Sequence, residues 1–132
     1  MLAFDDVVFL EVEDVDAAHD AALALGGGSA AVLTRGLIES ATMAPRAGYY
    51  TSLAELAAVY AHGLAKNHGY QDGNKRTATL VMLKFLAANG YDVTLSAEWV
   101  EIMVAVADGS MTRGALVEHI ARAMGGDPVA LG

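Results

Sequence analysis

The chain has 132 residues, with 16 Asp and Glu against eight Lys and Arg, a formal net charge of −8 and no cysteine. This length predicts one domain spanning residues 1–132, and the lack of cysteine excludes a disulfide framework and thiol chemistry. The acidic balance argues against direct binding to nucleic acid or to an anionic membrane, since both need basic surface.

No run of about 18 apolar residues predicts a membrane-spanning helix. The first residues also lack the positive charge of a signal peptide, so the sequence predicts a cytoplasmic protein. The first apolar segment, VVFL, is consistent with an edge strand or with part of an N-terminal arm.

Apolar residues then recur at spacings of three and four, which predicts a first helix from about Glu13 to Leu25. We interpret Gly26–Gly28 as a helix stop and flexible turn rather than a phosphate-binding loop, because no strand precedes the run. The stretch RGLIESATMA predicts a short helix that ends at Pro45.

The next helix has a clear start signal, because Ser52 and Glu55 have the spacing of a capping box. We expect this helix to run to about Asn67. A second long helix is predicted from about Asn74 to Ala88, closed by an Asn-Gly pair.

The C-terminal third continues the helical pattern after YDVTL, which is consistent with a short extended piece. Ser96 is expected to cap a helix that ends at Gly109, and a last helix is predicted over about Thr112–Met124. Together these patterns predict an all-α fold of five or six helices packed pairwise, with at most very short extended pieces.

The stretch NHGYQDGNKRTA gathers charge between the two long helices. A helix that begins near Asn74 presents unpaired N–H groups and a partial positive charge. Gly73 lets a bound group come close to the backbone, while Lys75 and Arg76 add full charges, so the turn predicts an anion site. Asn74 is either a further phosphate ligand or a simple helix cap.

Two residues just upstream suggest catalysis as well as binding. His68 is the side chain best suited to exchange a proton near neutral pH, and Asp72 is the kind of ligand that shares Mg²⁺ with phosphate oxygens. In the alternative reading, Asp72 only pairs with Arg76 and His68 only ends a helix. A zinc site from His62, His68 and Asp72 matches no usual spacing, and the stretch lacks the glycine and Gly-Lys-Ser/Thr triplet of a Walker loop.

The stretch HGYQDGNKRTA resembles the signature of the Fic/Doc superfamily, His-Pro-Phe-x-Asp/Glu-Gly-Asn-Gly/Lys-Arg. Lysine at position 75 is similar to the Doc (death-on-curing) branch. The stretches AAHDAALALGGG, GLIESATMAP, LAELAAVYAHGLAKNH and TATLVMLKFLAANGYDV also resemble Doc-type proteins in the same order.

The resemblance implies a compact helical Fic fold and a role for each matching residue. His68 would orient or deprotonate a target hydroxyl, and Asp72 would bind Mg²⁺. The phosphates of ATP would be held by the remaining motif residues and by one basic residue before it: Gly73, Asn74, Lys75, Arg76 and Lys66. Lys75 and Arg76 also count as catalytic residues. In the Doc branch, which has lysine rather than glycine at position 75, the nucleotide is expected to bind reversed and to present its γ-phosphate.

Function and partners are also implied by the resemblance. Doc proteins are toxins of type II toxin–antitoxin systems, held inactive by a Phd-type antitoxin. The implied activity is phosphorylation of a threonine of elongation factor Tu, which arrests translation. Transfer of AMP to a protein hydroxyl, as in Fic enzymes with glycine at position 75, and non-catalytic binding of a nucleotide or the antitoxin stay open as alternatives.

Three positions depart from the family pattern: Gly69 replaces proline, Tyr70 replaces phenylalanine, and Leu80 stands where some Doc proteins have a polar residue. Tyr70 can pack in the same place if its hydroxyl finds a partner. We expect a loop somewhat less rigid than in other members. Tyr49 and Tyr50 either contact a protein substrate or pack their own loop, and a lone His19 is expected to be a surface or satisfied core residue.

Overall fold

The computed structural model describes residues 1–132. Six α-helices follow one another along the chain: α1 Val12–Gly26, α2 Arg35–Met43, α3 Leu53–Asn67, α4 Asn74–Ala88, α5 Trp99–Asp108 and α6 Arg113–Ala123. Two short 3₁₀ turns, Phe4–Asp6 and Ala44–Ala47, complete the regular structure. Extended segments meet only at three isolated bridges, so the predicted all-α fold is confirmed.

Helix α3 is the centre of the core. Ten of its 15 residues are buried, as expected for a helix that has neighbours on all sides. Helices α2, α4, α5 and α6 pack against it, while α1 packs against α4 and α2. Every helix contributes to one cluster of 27 buried residues. Tyr60 on α3 is buried with its hydroxyl accepting from Leu10 N at 3.0 Å. None of the six helices has the length and hydrophobicity needed to cross a membrane.

The start of α3 is fixed by side chains and by the C-terminal segment. Ser52 Oγ accepts from Glu55 N at 3.1 Å, and Glu55 Oε1 accepts from Thr51 N at 2.7 Å. The predicted capping box is therefore present, although its glutamate reaches one residue further back than usual. The first two N–H groups of the helix donate to the carbonyls of Val129 and Pro128, at 2.9 and 3.1 Å. These bonds leave the N-terminus of α3 fully satisfied.

The predicted cap at Ser96 is wrong. Residues 96–98 form a turn in which the Ser96 carbonyl accepts from Trp99 N at 3.1 Å, and Glu98 is the residue before the helix. Glu98 has helical angles (φ −62°, ψ −17°) and belongs to this turn, and the α-helix itself begins at Trp99. The Ser96 side chain therefore lies too early in the chain to cap the helix.

The segment VVFL is an arm rather than an edge strand. Val8 pairs with the side chain of Asn89, which accepts from Val8 N at 2.8 Å and donates to Val8 O at 2.9 Å. The amide of Asn89 thus takes the place of a neighbouring strand. The segment YDVTL has no regular secondary structure and joins no strand either.

The loop between α3 and α4, residues 68–73, is held by main-chain bonds to residues 31–34, which we call the pairing segment. Leu33 N and Thr34 N donate to Gly69 O at 2.9 and 3.0 Å, and Gln71 N donates to Ala31 O at 3.0 Å. His68 at the start of the loop and Gly73 at its end have left-handed angles (φ 49° and φ 80°). The motif loop therefore has a defined shape set largely by its backbone.

Tyr70 anchors the motif loop to α1. Its side chain is buried, and its hydroxyl donates to Asp16 Oδ1 at 2.7 Å. Asp16 is also bonded to Arg35 of α2 through both of its oxygens at 2.7 Å. The hydrogen bond from Arg35 is the main cause that lowers the pKa of Asp16, while burial and Asp16 raise the pKa of Tyr70. The tyrosine at this position thus has the hydroxyl partner that it needs.

Gly69 is required by its packing against α2. A Cβ at this position would lie 2.5 Å from Cγ1 of Ile38, which is itself fully buried. Any larger residue, including the proline of the family pattern, would have to displace this isoleucine. Close packing therefore limits the loop where the sequence suggested extra freedom.

We predict that Gly69→Ala lowers the free energy of unfolding by about 1–3 kcal/mol, because the added methyl overpacks the contact with Ile38. Gly36→Ala is the matched control, since Gly36 lies in the same helix as Ile38 with open space around it. That control should gain up to about 1 kcal/mol from helix propensity. Urea unfolding of both variants measures the effect, and equal stability of Gly69→Ala and wild type would contradict it.

We also predict that Asp16→Asn costs about 1 kcal/mol near neutral pH, because Arg35 loses its nearer charged partner at a half-exposed site and keeps only the longer contact with Glu39. Since the folded pKa of Asp16 lies below its ordinary value of 3.8, this stabilisation is present above pH 3.8 and is lost as pH falls through the folded pKa. Urea unfolding of wild type and variant at about pH 7, 5 and 3 tests it. Asp20→Asn, on the exposed face of α1, should show no comparable difference.

Candidate phosphate and nucleotide site

The first turn of α4 is not capped by any side chain. Gly73 is the N-cap residue, and the main-chain N–H groups of Asn74, Lys75 and Arg76 donate to no group of the protein. The first bonded N–H is that of Thr77, which donates to Gly73 O at 2.8 Å. Unpaired N–H groups at a helix start carry a partial positive charge and favour an anion.

A polar cavity of about 340 Å³ opens at this helix start. Its walls are the end of α1, Gly26–Gly28, and the motif residues from Asp72 to Arg76, with no apolar side chain among them. Gly26 and Gly27 end α1 as predicted, but the glycine run has this second place in the structure. The run therefore lines the candidate anion site together with the motif, a place that its local sequence pattern does not indicate.

Asp72 lies at the edge of this cavity with one carboxylate oxygen engaged. Oδ2 accepts from Ser29 N at 2.7 Å, and a Cβ at Gly28 would lie 2.8 Å from Asp72 Cβ. Oδ1 has no partner within the protein. A carboxylate with a free oxygen beside unpaired N–H groups and cations fits a Mg²⁺ ion that is shared with phosphate oxygens.

Arg76 does not pair with Asp72, so the alternative in which these two residues form only a surface ion pair is not found. Arg76 Nη1 donates to Ala22 O at 3.0 Å in the last turn of α1, and the guanidinium packs over Gly26. A cation is favourable at the C-terminus of a helix. The guanidinium is thereby fixed at the wall of the polar cavity.

The side chain of Asn74 closes the motif loop. Its Oδ1 accepts from Tyr70 N at 3.2 Å and its Nδ2 donates to Tyr70 O at 2.8 Å, and the residue is buried. The amide is neither a helix cap nor free for a ligand. A phosphate contact from Asn74, which stays a prediction, would come from its main-chain N–H.

Some of the basic residues of the chain pair with carboxylates, and those at the polar cavity do not. Of the eight Lys and Arg, three lie within 4 Å of a carboxylate: Arg35, Arg46 and Lys84. Lys75 and Arg76 have no carboxylate partner, although acidic residues outnumber basic ones two to one. Two unpaired cations beside unpaired N–H groups attract an anion with several charges.

The structure brings five of the predicted site residues together at the polar cavity and leaves two outside it. Asp72, Gly73, Asn74, Lys75 and Arg76 form the wall. His68 and Lys66 do not line it, and Lys66 Nζ lies beside Gly109 after α5. His68 is exposed, four residues before Asp72. Its role as the base therefore stays a prediction.

The structure does not group the side chains that a zinc site would need. No three His, Asp or Glu side chains are grouped to hold a metal, so a zinc site of His62, His68 and Asp72 has no support.

The tyrosine pair lies at the opposite end of α3 from the motif loop. Tyr49 and Tyr50 precede α3, whose 15 residues span about 22 Å, whereas His68 follows it. Tyr50 packs under Arg113, 5.2 Å from the guanidinium to the ring centre. The main-chain bonds to the motif loop come instead from the pairing segment.

A second cavity of about 390 Å³ lies on the other side of Lys75 and Arg76, between α4 and α5. Its apolar walls are formed by Leu80, Leu95, Trp99, Val100, Met103 and Val104. Lys75 and Arg76 line both cavities. A polar cavity and an apolar one thus meet at two cations, an arrangement suited to a ligand with a charged end and an aromatic end.

His19 is a site feature that the sequence argument did not assign. It is a buried core residue, as one reading expected, yet its Nε2 lies 2.9 Å from Asp72 O and its ring stacks on Tyr70. A histidine on the buried face of α1, four residues after Val15, was the available signal. The partner of that histidine could not be found from helical spacing alone.

Comparison with known proteins agrees with this geometry. A model of the family described as "Fic/DOC family" matches residues 9–86. "Protein kinase doc" of Escherichia phage P1 is 32% identical over 117 residues, which cover 86% of this chain and 93% of that protein. "Toxin Doc" of Mycolicibacterium smegmatis (strain ATCC 700084 / mc(2)155) is 38% identical over 96 residues, or 69% and 70% of the two chains. The chain therefore belongs to the Fic/DOC family, and it lies in the Doc branch of that family.

Proposed function

We propose that this protein is a Doc-type toxin that uses Mg²⁺ and ATP to phosphorylate a protein hydroxyl. The observation that carries the proposal is the pair of cavities that meet at Lys75 and Arg76. The phosphates of ATP would occupy the polar cavity, and the nucleoside would occupy the apolar one. A relative named "Protein kinase doc" supports a kinase over other uses of the nucleotide.

Binding follows from the groups at the polar cavity. The N–H groups at the start of α4 and the cations of Lys75 and Arg76 would hold the phosphate oxygens and fix the reacting phosphorus. Asp72 would place Mg²⁺ through its free oxygen, and the ion would neutralise charge on the phosphates. The glycine run leaves room for the phosphate chain because it carries no side chains into the cavity.

The transfer itself is a substitution at phosphorus. The oxygen of the target hydroxyl forms a bond to the γ-phosphorus while the bond to the β,γ-bridging oxygen breaks, and ADP leaves. His68 accepts the hydroxyl proton and releases it to solvent. Since His68 is exposed and outside the polar cavity, we infer that the protein substrate approaches from its side.

The target and partner follow the family resemblance. We infer that the acceptor is a threonine of elongation factor Tu, so that phosphorylation arrests translation in the cytoplasm. A Phd-like antitoxin would keep the toxin inactive until it is removed. A relative named "Toxin Doc" supports the toxin role. Direct binding to nucleic acid is not part of the proposal, because the chain has a net charge of −8.

Transfer of AMP is the second candidate, because the same two cavities would hold ATP in either orientation of its phosphate chain. A nucleotide-binding or antitoxin-binding regulator without turnover is the third. Parallel assays with α-labelled and γ-labelled ATP separate the first two, and calorimetry with Mg-ATP followed by a turnover assay identifies the third.

We predict that His68→Ala lowers transfer of γ-label to purified elongation factor Tu by about 10²-fold or more, because no group then accepts the hydroxyl proton. The fold should persist, since His68 is exposed. His62→Ala is the matched control, a histidine of α3 outside both cavities. If His68→Ala transferred the γ-label as fast as wild type, a role for His68 as the base would be excluded. If the target were labelled only by α-labelled ATP, transfer of AMP would be favoured.

We predict that Lys75→Ala raises the Kd for Mg-ATP tenfold to about a hundredfold, the usual effect of losing a hydrogen bond to a charged group. Calorimetry in the His68→Ala background measures this without turnover. Arg122→Ala on α6 is the control, because it removes the same charge outside both cavities. If the two variants weaken binding equally, then Lys75 acts only through net charge.

A further inference from the structure

His19 is a buried polar side chain whose bonding is unusual for a core residue. Its side chain is 3% exposed, and its ring lies parallel to that of Tyr70, with centres 3.6 Å apart and planes 9° apart. Its Nε2 lies 2.9 Å from the main-chain carbonyl oxygen of Asp72. Since a carbonyl only accepts, Nε2 must carry the proton in this bond.

The contact continues to the next residue of the motif. A Cβ at Gly73 would lie 3.7 and 3.8 Å from Cδ2 and Nε2 of His19, so the imidazole lies beside the N-cap of α4 with room for little more than a methyl group between them. One side chain from α1 thus contacts Tyr70 and Asp72 and lies beside Gly73, the residue immediately before α4.

We propose that His19 is a positioning residue for the site: it fixes the backbone of Asp72 and Gly73 so that the Asp72 carboxylate and the N–H groups of α4 act on the same anion. This inference rests on the proposed function, because it concerns the Mg²⁺ and phosphate groups that the site would hold.

The bond from His19 complements the one from Ser29. Ser29 N holds Oδ2 of the carboxylate, and His19 holds the carbonyl at the other end of the same residue. The bond from Ser29 fixes the Asp72 side chain, the bond from His19 fixes its main chain, and Oδ1 has no hydrogen-bond partner in the protein. A metal ligand that is oriented in this way needs less ordering when the ion binds.

Core packing alone does not account for the histidine. The neighbouring positions on this face of α1 are Val15, Ala18 and Ala22, and an apolar side chain would fill the space without burying a polar ring. The ring is retained with its single observed bond directed at Asp72. We therefore interpret the hydrogen bond to Asp72 as the reason that a histidine occupies position 19.

The variant test compares loss and retention of the donor. In His19→Leu, the Mg²⁺ concentration for half-maximal transfer should rise about tenfold or more, with a smaller change in kcat at saturating Mg²⁺. His19→Gln keeps an N–H donor and should recover to within about threefold of wild type. Val15→Ala loosens the same face of α1 and removes no hydrogen bond to the loop, so its Mg²⁺ dependence should be that of wild type.

A positioning role would be overturned if His19→Leu and Val15→Ala, compared at equal folded fraction, had the same Mg²⁺ dependence. If His19→Leu does not fold, the comparison of His19→Gln with wild type decides, together with a measurement on the unmodified protein.

That measurement is ¹⁵N NMR of the imidazole rings, which does not depend on activity. With four histidines in the chain, His19 is assigned by the signal lost in His19→Gln. We expect a protonated Nε2 in the free protein, and a shift of the His19 ring signals when Mg²⁺ with a non-hydrolysable ATP analogue is added. A protonated Nδ1 with bare Nε2 would exclude the bond to Asp72 and end the proposal.

The two ideas can fail separately. Absence of any turnover by wild type would overturn the proposed function while the NMR result still decides the bond. Normal turnover with an unprotonated Nε2 would leave the proposed function standing and remove the positioning role.

Discussion

A helix start can bind an anion only if its first N–H groups are not already bonded, and this constraint organises the structure around α4. Ser, Thr, Asp and Asn are the preferred N-cap residues because their side chains accept from these groups. Here the N-cap is Gly73, and the amide of Asn74 bonds Tyr70 instead of the helix start. Helix α3 shows the contrast, because Ser52 and the C-terminal segment satisfy its first N–H groups.

An uncapped helix start needs its stabilisation from elsewhere. The motif loop obtains it from three directions: the pairing segment bonds Gly69 and Gln71, Asp16 bonds the hydroxyl of Tyr70, and the amide of Asn74 closes the loop on itself. Each of these bonds uses a group other than the first N–H groups of α4. The loop is thereby ordered while the anion-binding groups stay unpaired, which is the state of preorganisation that tight binding requires.

The helices could be predicted from the sequence because their signals are local. The bounds of α3 and α4 agree with the spacing of apolar residues and with the glycine that follows α4, and the family motif gave five residues of the polar cavity. The predicted cap at Ser96 is wrong because residue propensities do not reveal the turn at residues 96–98, which precedes the helix start at Trp99. His19, Ser29 and the glycine run were missed because they reach the motif from 43 to 53 residues away in the chain, through packing of α1 against α4.

Several of the many acidic residues of this chain pair with cations away from the candidate site and leave the charges at the site unpaired. Carboxylates near the N-terminus pair with Arg35, Arg46 and Lys84, which are cations that hold helices together. Asp72 is the one carboxylate at the polar cavity, and Ser29 N rather than Arg76 satisfies its engaged oxygen. An ion pair between Asp72 and Arg76 would have neutralised the site and competed with both metal and phosphate. Because a main-chain N–H holds the carboxylate and the end of α1 holds the guanidinium, neither charge neutralises the other, and both stay available to the Mg²⁺ and phosphate groups that we propose as ligands.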